Sequence, residues 1–275
     1  MAMTAWVYLN INDPMVAWLV YRGELFSADQ VEPEALSIWH TRRLHAAITD
    51  PQSNASDYYR GEIAVEAVRA SRHPDRSSRL QGFYVFPDRD AALRASATWD
   101  GRGFSPDMLA EIEIEPNSRV SQYDAQWITH HLVTGAGPWI DRYLAGDPES
   151  KAPIWEWIVQ GRAVVSGTEL RKRAQETVLR TWPNSRALLE VARLGAWLYS
   201  DLGLITARAI PTPGGLSIEH CMQFADATDE AFLARLDQLK RDHPELVDFD
   251  ALGDPTDPDP KAPDLTSRNF VLPTA

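Results

Sequence analysis

Two tetrapeptides spell the same letters, Tyr21-Arg22-Gly23-Glu24 and Tyr59-Arg60-Gly61-Glu62, and both carry residue types suited to holding a ligand. An arginine presents a fork of donors that matches phosphate or carboxylate oxygens. A glycine beside it lets backbone approach a bound group closely. Further along, "GFYVF" over 82–86 supplies aromatic faces that can stack on a planar ring, and Glu156 stands between Trp155 and Trp157. A carboxylate so placed can stabilise positive charge developing on a substrate. Each feature also has an ordinary reading. Arg22 at the end of an apolar strand pairs with a surface carboxylate, "GFYVF" is core, and Glu156 is an exposed glutamate on an amphipathic segment. Glu111, Glu113 and Glu115 of "EIEIE" form the solvated face of a strand and are the rival carboxylates.

Other chemistries lack their signatures. The chain has no Gly-rich phosphate loop, no His-Glu-x-x-His and no Gly-x-Ser-x-Gly. Its single cysteine, Cys221, excludes an internal disulfide or a cysteine-pair zinc site and reads as a buried structural thiol. His130 and His131 are adjacent, so on a helix they diverge by about 100° and make a poor metal pair. No metal is expected.

The net charge is −12 over 275 residues, but residues 225–275 alone hold 12 acidic and 5 basic side chains. The remaining body is mildly acidic, which argues against a tight nucleic-acid binder. The basic clusters Arg69, Arg72, Arg76, Arg79 and Arg171, Lys172, Arg173 read as solvated helix ends and loops. No signal peptide and no long apolar run are evident, so a cytoplasmic chain without membrane contact is expected.

The elements that would position these residues follow from local pattern. Residues 4–12 and 16–22, rich in β-branched and aromatic types and split by Asp-Pro, read as strands. Residues 33–49 read as a helix begun by Pro33, and "DPQSNAS" breaks the chain after it. Asp57 reads as the N-cap of a helix to Ser71 that buries Ile63, Ala67 and Ala70. Residues 79–87 predict a strand, and Asp88 caps the helix after it. Residues 108–116 alternate as a strand with one charged face. Helices are expected over 122–133, from Thr168 toward Trp182, over 185–200 and over 228–243, with a strand and turn at 205–215. From Asp248 the Pro- and Asp-rich composition has little to bury, so that segment should be flexible or draped over the surface.

Taken in order, three motifs resemble the ADP-ribosyltransferase superfamily, enzymes that split NAD at the nicotinamide–ribose bond. They are Arg22 with Tyr21 and Gly23 on an early strand, Gly82 through Phe86 followed by a small-residue helix, and Glu156 late in the chain. The resemblance covers residues 16–166. The family more often places Ser or Thr in its second strand, where this chain has Phe83-Tyr84-Val85-Phe86-Pro87. The resemblance implies an α+β fold: a split, strongly twisted β-sheet core with flanking helices and a helical C-terminal extension. Its divisions would be a catalytic domain over 1–166, a mostly helical extension over 167–247 and an acidic tail over 248–275. It implies NAD as co-substrate and a macromolecular acceptor, protein or nucleic acid, with water as acceptor in an NAD glycohydrolase. Stand-alone bacterial proteins of this kind act as intracellular toxins or in conflict with phage, which implies an inhibitory partner protein. Glu156 would be the catalytic carboxylate at the ribose. Arg22 would hold the pyrophosphate or nicotinamide ribose, the backbone at Gly23 would receive the carboxamide, and Tyr84 or Phe86 would stack on nicotinamide, with Tyr21 alongside.

A reading of a different class is a non-catalytic module that binds a protein partner through its aromatic surface and acidic tail. Convergence of Arg22, Tyr84 and Glu156 on one cleft separates the two. The flanks of the tetrapeptides do not match, so they are no repeat. The first copy closes a strand and is the candidate site. The second opens a helix, with Arg60 solvated and Glu62 a favourable charge near its N-terminus.

Overall fold

The computed structural model describes residues 3–49, 55–98, 105–252 and 261–273. The break expected at 50–56 and the middle of the expected acidic tail fall largely outside these residues. The order of elements begins β1 (Met3–Tyr8), α1 (Pro14–Arg22), β2 (Glu24–Phe26), β3 (Leu36–Ser37), α2 (Ile38–Thr49), α3 (Ala55–Arg72), β4 (Phe83–Val85) and α4 (Arg89–Thr98). It continues β5 (Leu109–Ile114), β6 (Arg119–Asp124), α5 (Ala125–His131), α6 (Trp139–Ala145), β7 (Trp155–Gln160), β8 (Arg162–Val165) and α7 (Thr168–Thr181). It ends α8 (Arg186–Trp197), β9 (Ile205–Thr212), β10 (Gly215–Met222), α9 (Glu230–Asp242), α10 (Phe249–Leu252) and β11 (Phe270–Pro273).

The fold is mixed α and β, with all strand pairs antiparallel among the described residues. The strands form three sheets, in the orders β1-β5-β8-β2, β11-β10-β9-β3 and β4-β7-β6. A single bridge between Trp6 and Phe86 links the first sheet to the third. The alternation expected over 108–116 holds: Ala110, Ile112 and Ile114 are buried while Glu111 and Glu113 face solvent. No helix among the described residues is long and apolar enough to cross a membrane.

The segment expected as a second strand, residues 16–22, is instead the helix α1. Asp13 caps it, its Oδ1 accepting from the amides of Met15 and Val16 at 2.9 and 3.4 Å, and Pro14 opens its first turn. Gly23, at φ 94°, ends it in the left-handed conformation that glycine adopts without penalty. Met15 through Val20 are all buried, because α1 lies against α7 and α8 in the main core. A helix buried all round shows no periodicity, and the eight apolar residues before Arg22 look like a buried strand.

Other boundaries moved for comparable reasons. Leu36 and Ser37 pair with β9, so the helix expected from Pro33 begins at Ile38. Gln122 through Asp124 complete β6 before α5 starts. Asp57 lies inside the first turn of α3, not at its cap. That helix exposes Ile63, Ala67 and Ala70, and buries Gly61, Glu62 and Val65. The acidic C-terminal segment is also more engaged than its composition predicts. β11 adds a strand to β10, Leu265 and Leu272 are buried, and α10 packs on α8.

Candidate functional site

The centre of the polar interior is Arg79, expected as a solvated loop residue and in fact 2% exposed. Its Nε and Nη2 donate to the two oxygens of Glu62 at 2.8 and 2.9 Å. Its Nη1 donates to the Tyr143 hydroxyl at 2.8 Å and to Glu156 Oε1 at 3.0 Å. Glu62 and Glu156 are as deeply buried as Arg79. Two carboxylates in apolar surroundings therefore share one guanidinium, and the half-buried Arg43 supplies the second positive charge.

Local folding brings these groups together from five separate segments. Gly61 lets α3 press on the turn after α5, since a Cβ there would stand 2.2 Å from the Leu132 carbonyl oxygen. That approach turns Glu62 inward, with Tyr58 one turn before it on the same helical face. His40 and Arg43, three residues apart, reach the cluster from α2. Tyr84 on β4 pairs with Ile158 on β7, and alternation puts Glu156, two residues before Ile158, on the same face of the sheet. The Tyr84 hydroxyl donates to the Arg79 carbonyl at 2.6 Å, and its ring lies 4.8 Å from the Arg43 guanidinium carbon and 5.2 Å from that of Arg79. Tyr143 stacks on Tyr123 at 4.5 Å, which fixes its hydroxyl toward Arg79.

Burial and charge set the protonation of these groups. Burial by itself would raise the Glu62 carboxyl, but the charge and hydrogen bonds of Arg79, with His40 and Arg43, hold it down at about 2. Burial pushes His40 down to about 4, against the pull of Glu62, so its imidazole is neutral at pH 7. Burial likewise raises the Tyr58, Tyr84 and Tyr143 hydroxyls, which stay protonated. Both ring nitrogens of His40 and the Tyr58 hydroxyl are buried with no hydrogen-bond partner among the described residues. The Glu156 carboxylate accepts a hydrogen bond through Oε1 alone among the described residues. The cluster thus combines a carboxylate oxygen not yet engaged, an aromatic ring under a half-open cation, and neutral hydroxyl and imidazole groups.

Of the residues expected from sequence, Tyr84 and Glu156 meet here and the others do not. Arg22 sits at the C-terminus of α1, not on a strand, and is 1% exposed. All three of its nitrogens are used: Nε on the Leu202 carbonyl at 3.1 Å, Nη1 on Glu24 and Nη2 on the Ser200 carbonyl. Arg162 joins this network by donating to Glu24 at 2.9 Å and to Asp201 at 2.7 Å. Arg22 therefore ties α1 to the turn after α8, and its guanidinium is unavailable to a pyrophosphate. The Tyr21 hydroxyl donates to Glu190 and accepts from Gln175, and burial raises it to about 12. The Arg171 guanidinium packs over Gly23, occupying the approach expected for a carboxamide. Phe86 is buried against Ala91, Ala92 and Ala95, edge-on to Tyr8, with no face left for stacking. Cys221 is half-buried on β10.

The second tetrapeptide, set aside as coincidence, contributes Glu62 and the enabling Gly61, while Arg60 is solvated as expected. The spacing of Tyr58 with Glu62 and of His40 with Arg43 was present in the sequence. Nothing local marked Arg79 as their common partner. Among the described residues no group of three His, Cys, Asp or Glu is arranged to hold a metal ion. Compared with the models of known protein families and with curated proteins, the chain matches none.

Proposed function

We propose that the chain is an NAD-dependent ADP-ribosyltransferase whose reacting carboxylate is Glu156; because Arg22 does not converge with Tyr84 and Glu156, the reading needs a site built around Arg79 instead, and the failed convergence weighs for the protein-binding module below. One observation carries the reading: Tyr84 and Glu156, 72 positions apart in the numbering, share one sheet face, Glu156 accepts from the Arg79 guanidinium that lies 5.2 Å from the Tyr84 ring, and one Glu156 oxygen is unengaged. In this reading the linked sheets β1-β5-β8-β2 and β4-β7-β6 correspond to the family's split core. The C1′–N1 bond of NAD breaks with its electron pair leaving on nicotinamide, and a nucleophile from a macromolecule or water forms the new bond to C1′ and gives up its proton to solvent. Glu156 Oε2 stabilises the oxocarbenium-like ribose, while Arg79 holds the carboxylate in place through Oε1. Arg43 is the cation placed to meet the pyrophosphate, and Tyr84 offers its ring to a planar base.

The test is NAD turnover by wild type, Glu156→Gln and Arg22→Gln. Glu156→Gln should lower turnover by about a hundredfold or more, the usual effect of removing one preorganised electrostatic group. Arg22→Gln should change stability and leave turnover per folded molecule intact. Turnover unaffected by Glu156→Gln removes that residue from the chemistry. A second reading, a protein-binding module, is favoured by the exposed Trp197 and Tyr199 beside a cleft of about 240 Å³ that also touches Gly23 and Arg171. No NAD turnover by wild type, with or without cell lysate as acceptor, would support it.

A further inference from the structure

A second cleft, of about 350 Å³, opens between α2, the start of α1 and the C-terminal strands β10 and β11. That volume is at the small end of the range for small-molecule sites. Its cationic lining is Arg42 and Arg268, beside the exposed His45 and against one carboxylate, Asp13. Asp13 is already satisfied: Oδ1 caps α1, and Oδ2 accepts from Arg42 Nε at 3.0 Å. The terminal nitrogens of Arg42 make no hydrogen bond among the described residues, and half-buried Arg268 makes no ion pair among them. Two guanidinium groups with unspent donors therefore line one small cleft.

The rest of the lining has a definite character. Phe270 lies 5.3 Å ring to ring from His45, and Met15 adds a second apolar surface. His220, 9% exposed, also lines the cleft. Thr41 Oγ1 lies 3.2 Å from the Ile38 carbonyl oxygen and 3.1 Å from His220 Nε2, so the tautomer of His220 sets which of the two donates in their contact. His220 Nδ1 is buried with no hydrogen-bond partner among the described residues.

We propose that this cleft binds a small phosphate-bearing molecule with a planar ring, of the size and chemistry of a nucleoside monophosphate. Arg42 and Arg268 grip the phosphate, Phe270, His45 and Met15 receive the ring, and a polar group of the ligand satisfies His220 Nδ1. The inference does not depend on the Glu156 site, which lies in a different group of residues.

Calorimetric titration of the full chain with AMP, and separately with inorganic phosphate, tests it. AMP should bind, and more tightly than phosphate. Arg268→Gln should weaken AMP about tenfold, roughly one charge-assisted hydrogen bond. Because Arg268 makes no ion pair, that variant should melt like wild type; the exposed His45→Gln gives a second weakening variant if it does not. Glu156→Gln should bind AMP as wild type does. No AMP binding at millimolar concentration would overturn the proposal. So would AMP no tighter than phosphate, full affinity in both Arg268→Gln and His45→Gln, or binding abolished by Glu156→Gln.

Discussion

Replacing Glu62 by Gln should cost far more stability than replacing Glu156 by Gln, although both carboxylates are buried on the same arginine. Glu62 accepts two charge-assisted bonds, at 2.8 and 2.9 Å, from Nε and Nη2 along one edge of the Arg79 guanidinium. Its carboxyl is held at about 2 against an ordinary 4.5, which corresponds to about 3 kcal/mol. Removing one partner of a buried pair leaves an uncompensated charge, at about 3–5 kcal/mol. Glu156 accepts a single bond at 3.0 Å, and the amide oxygen of Gln can still accept it, so about 1–2 kcal/mol is expected there. Urea denaturation at pH 7, followed by the fluorescence of the ten tryptophans, measures both. Arg79→Met should be strongly destabilising alone, and Glu62→Gln combined with it should cost at least about 2 kcal/mol less than the sum of the two. The ion-pair account fails if Glu156→Gln costs as much as Glu62→Gln, or if the double variant is additive.

Two further outcomes follow from the same interior. His40 has a folded-state value of about 4 against an ordinary 6.5, so between those pH values the unfolded chain takes up a proton that the folded chain refuses. Stability should be full above about pH 6.5 and fall by about 3 kcal/mol as pH drops to about 4, with burial of His220 acting in the same direction. Glu62, lowered in the fold, takes over below its ordinary 4.5. Thermal melts across this range should show a shallower decline for His40→Gln, and an identical slope would refute the assignment. Gly61→Ala forces a Cβ to within 2.2 Å of backbone oxygen, and should cost about 2 kcal/mol or more in the same urea assay. Wild-type stability in that variant would mean α3 does not need its close approach to the turn after α5.

Local chemistry made much of the chain legible by itself. Asp88 accepts from the Ala91 amide at 2.6 Å as the expected cap of α4. The alternation of 109–114 named the buried face of β5, because those signals act within a turn or along one strand. Tyr84 and Glu156 could be singled out as aromatic and carboxylate candidates, but not placed side by side. That placement depends on β4 pairing with β7, a register set by the whole sheet.

The tertiary structure alone decided the fate of the charges. Residue type says that an arginine or glutamate belongs in water, and by that rule Arg79 and Glu62 are surface groups. Their burial is stable only because each completes the other, across 17 positions of chain and beside Glu156, which no local pattern records. Arg22 met the reverse outcome: the apolar run before it formed a helix enclosed on all sides, and the turn at 200–202 took its donors. Sequence determined which residues are capable of chemistry. Packing determined that the second tetrapeptide, through Gly61 and Glu62, shares their cluster, while the first holds the frame.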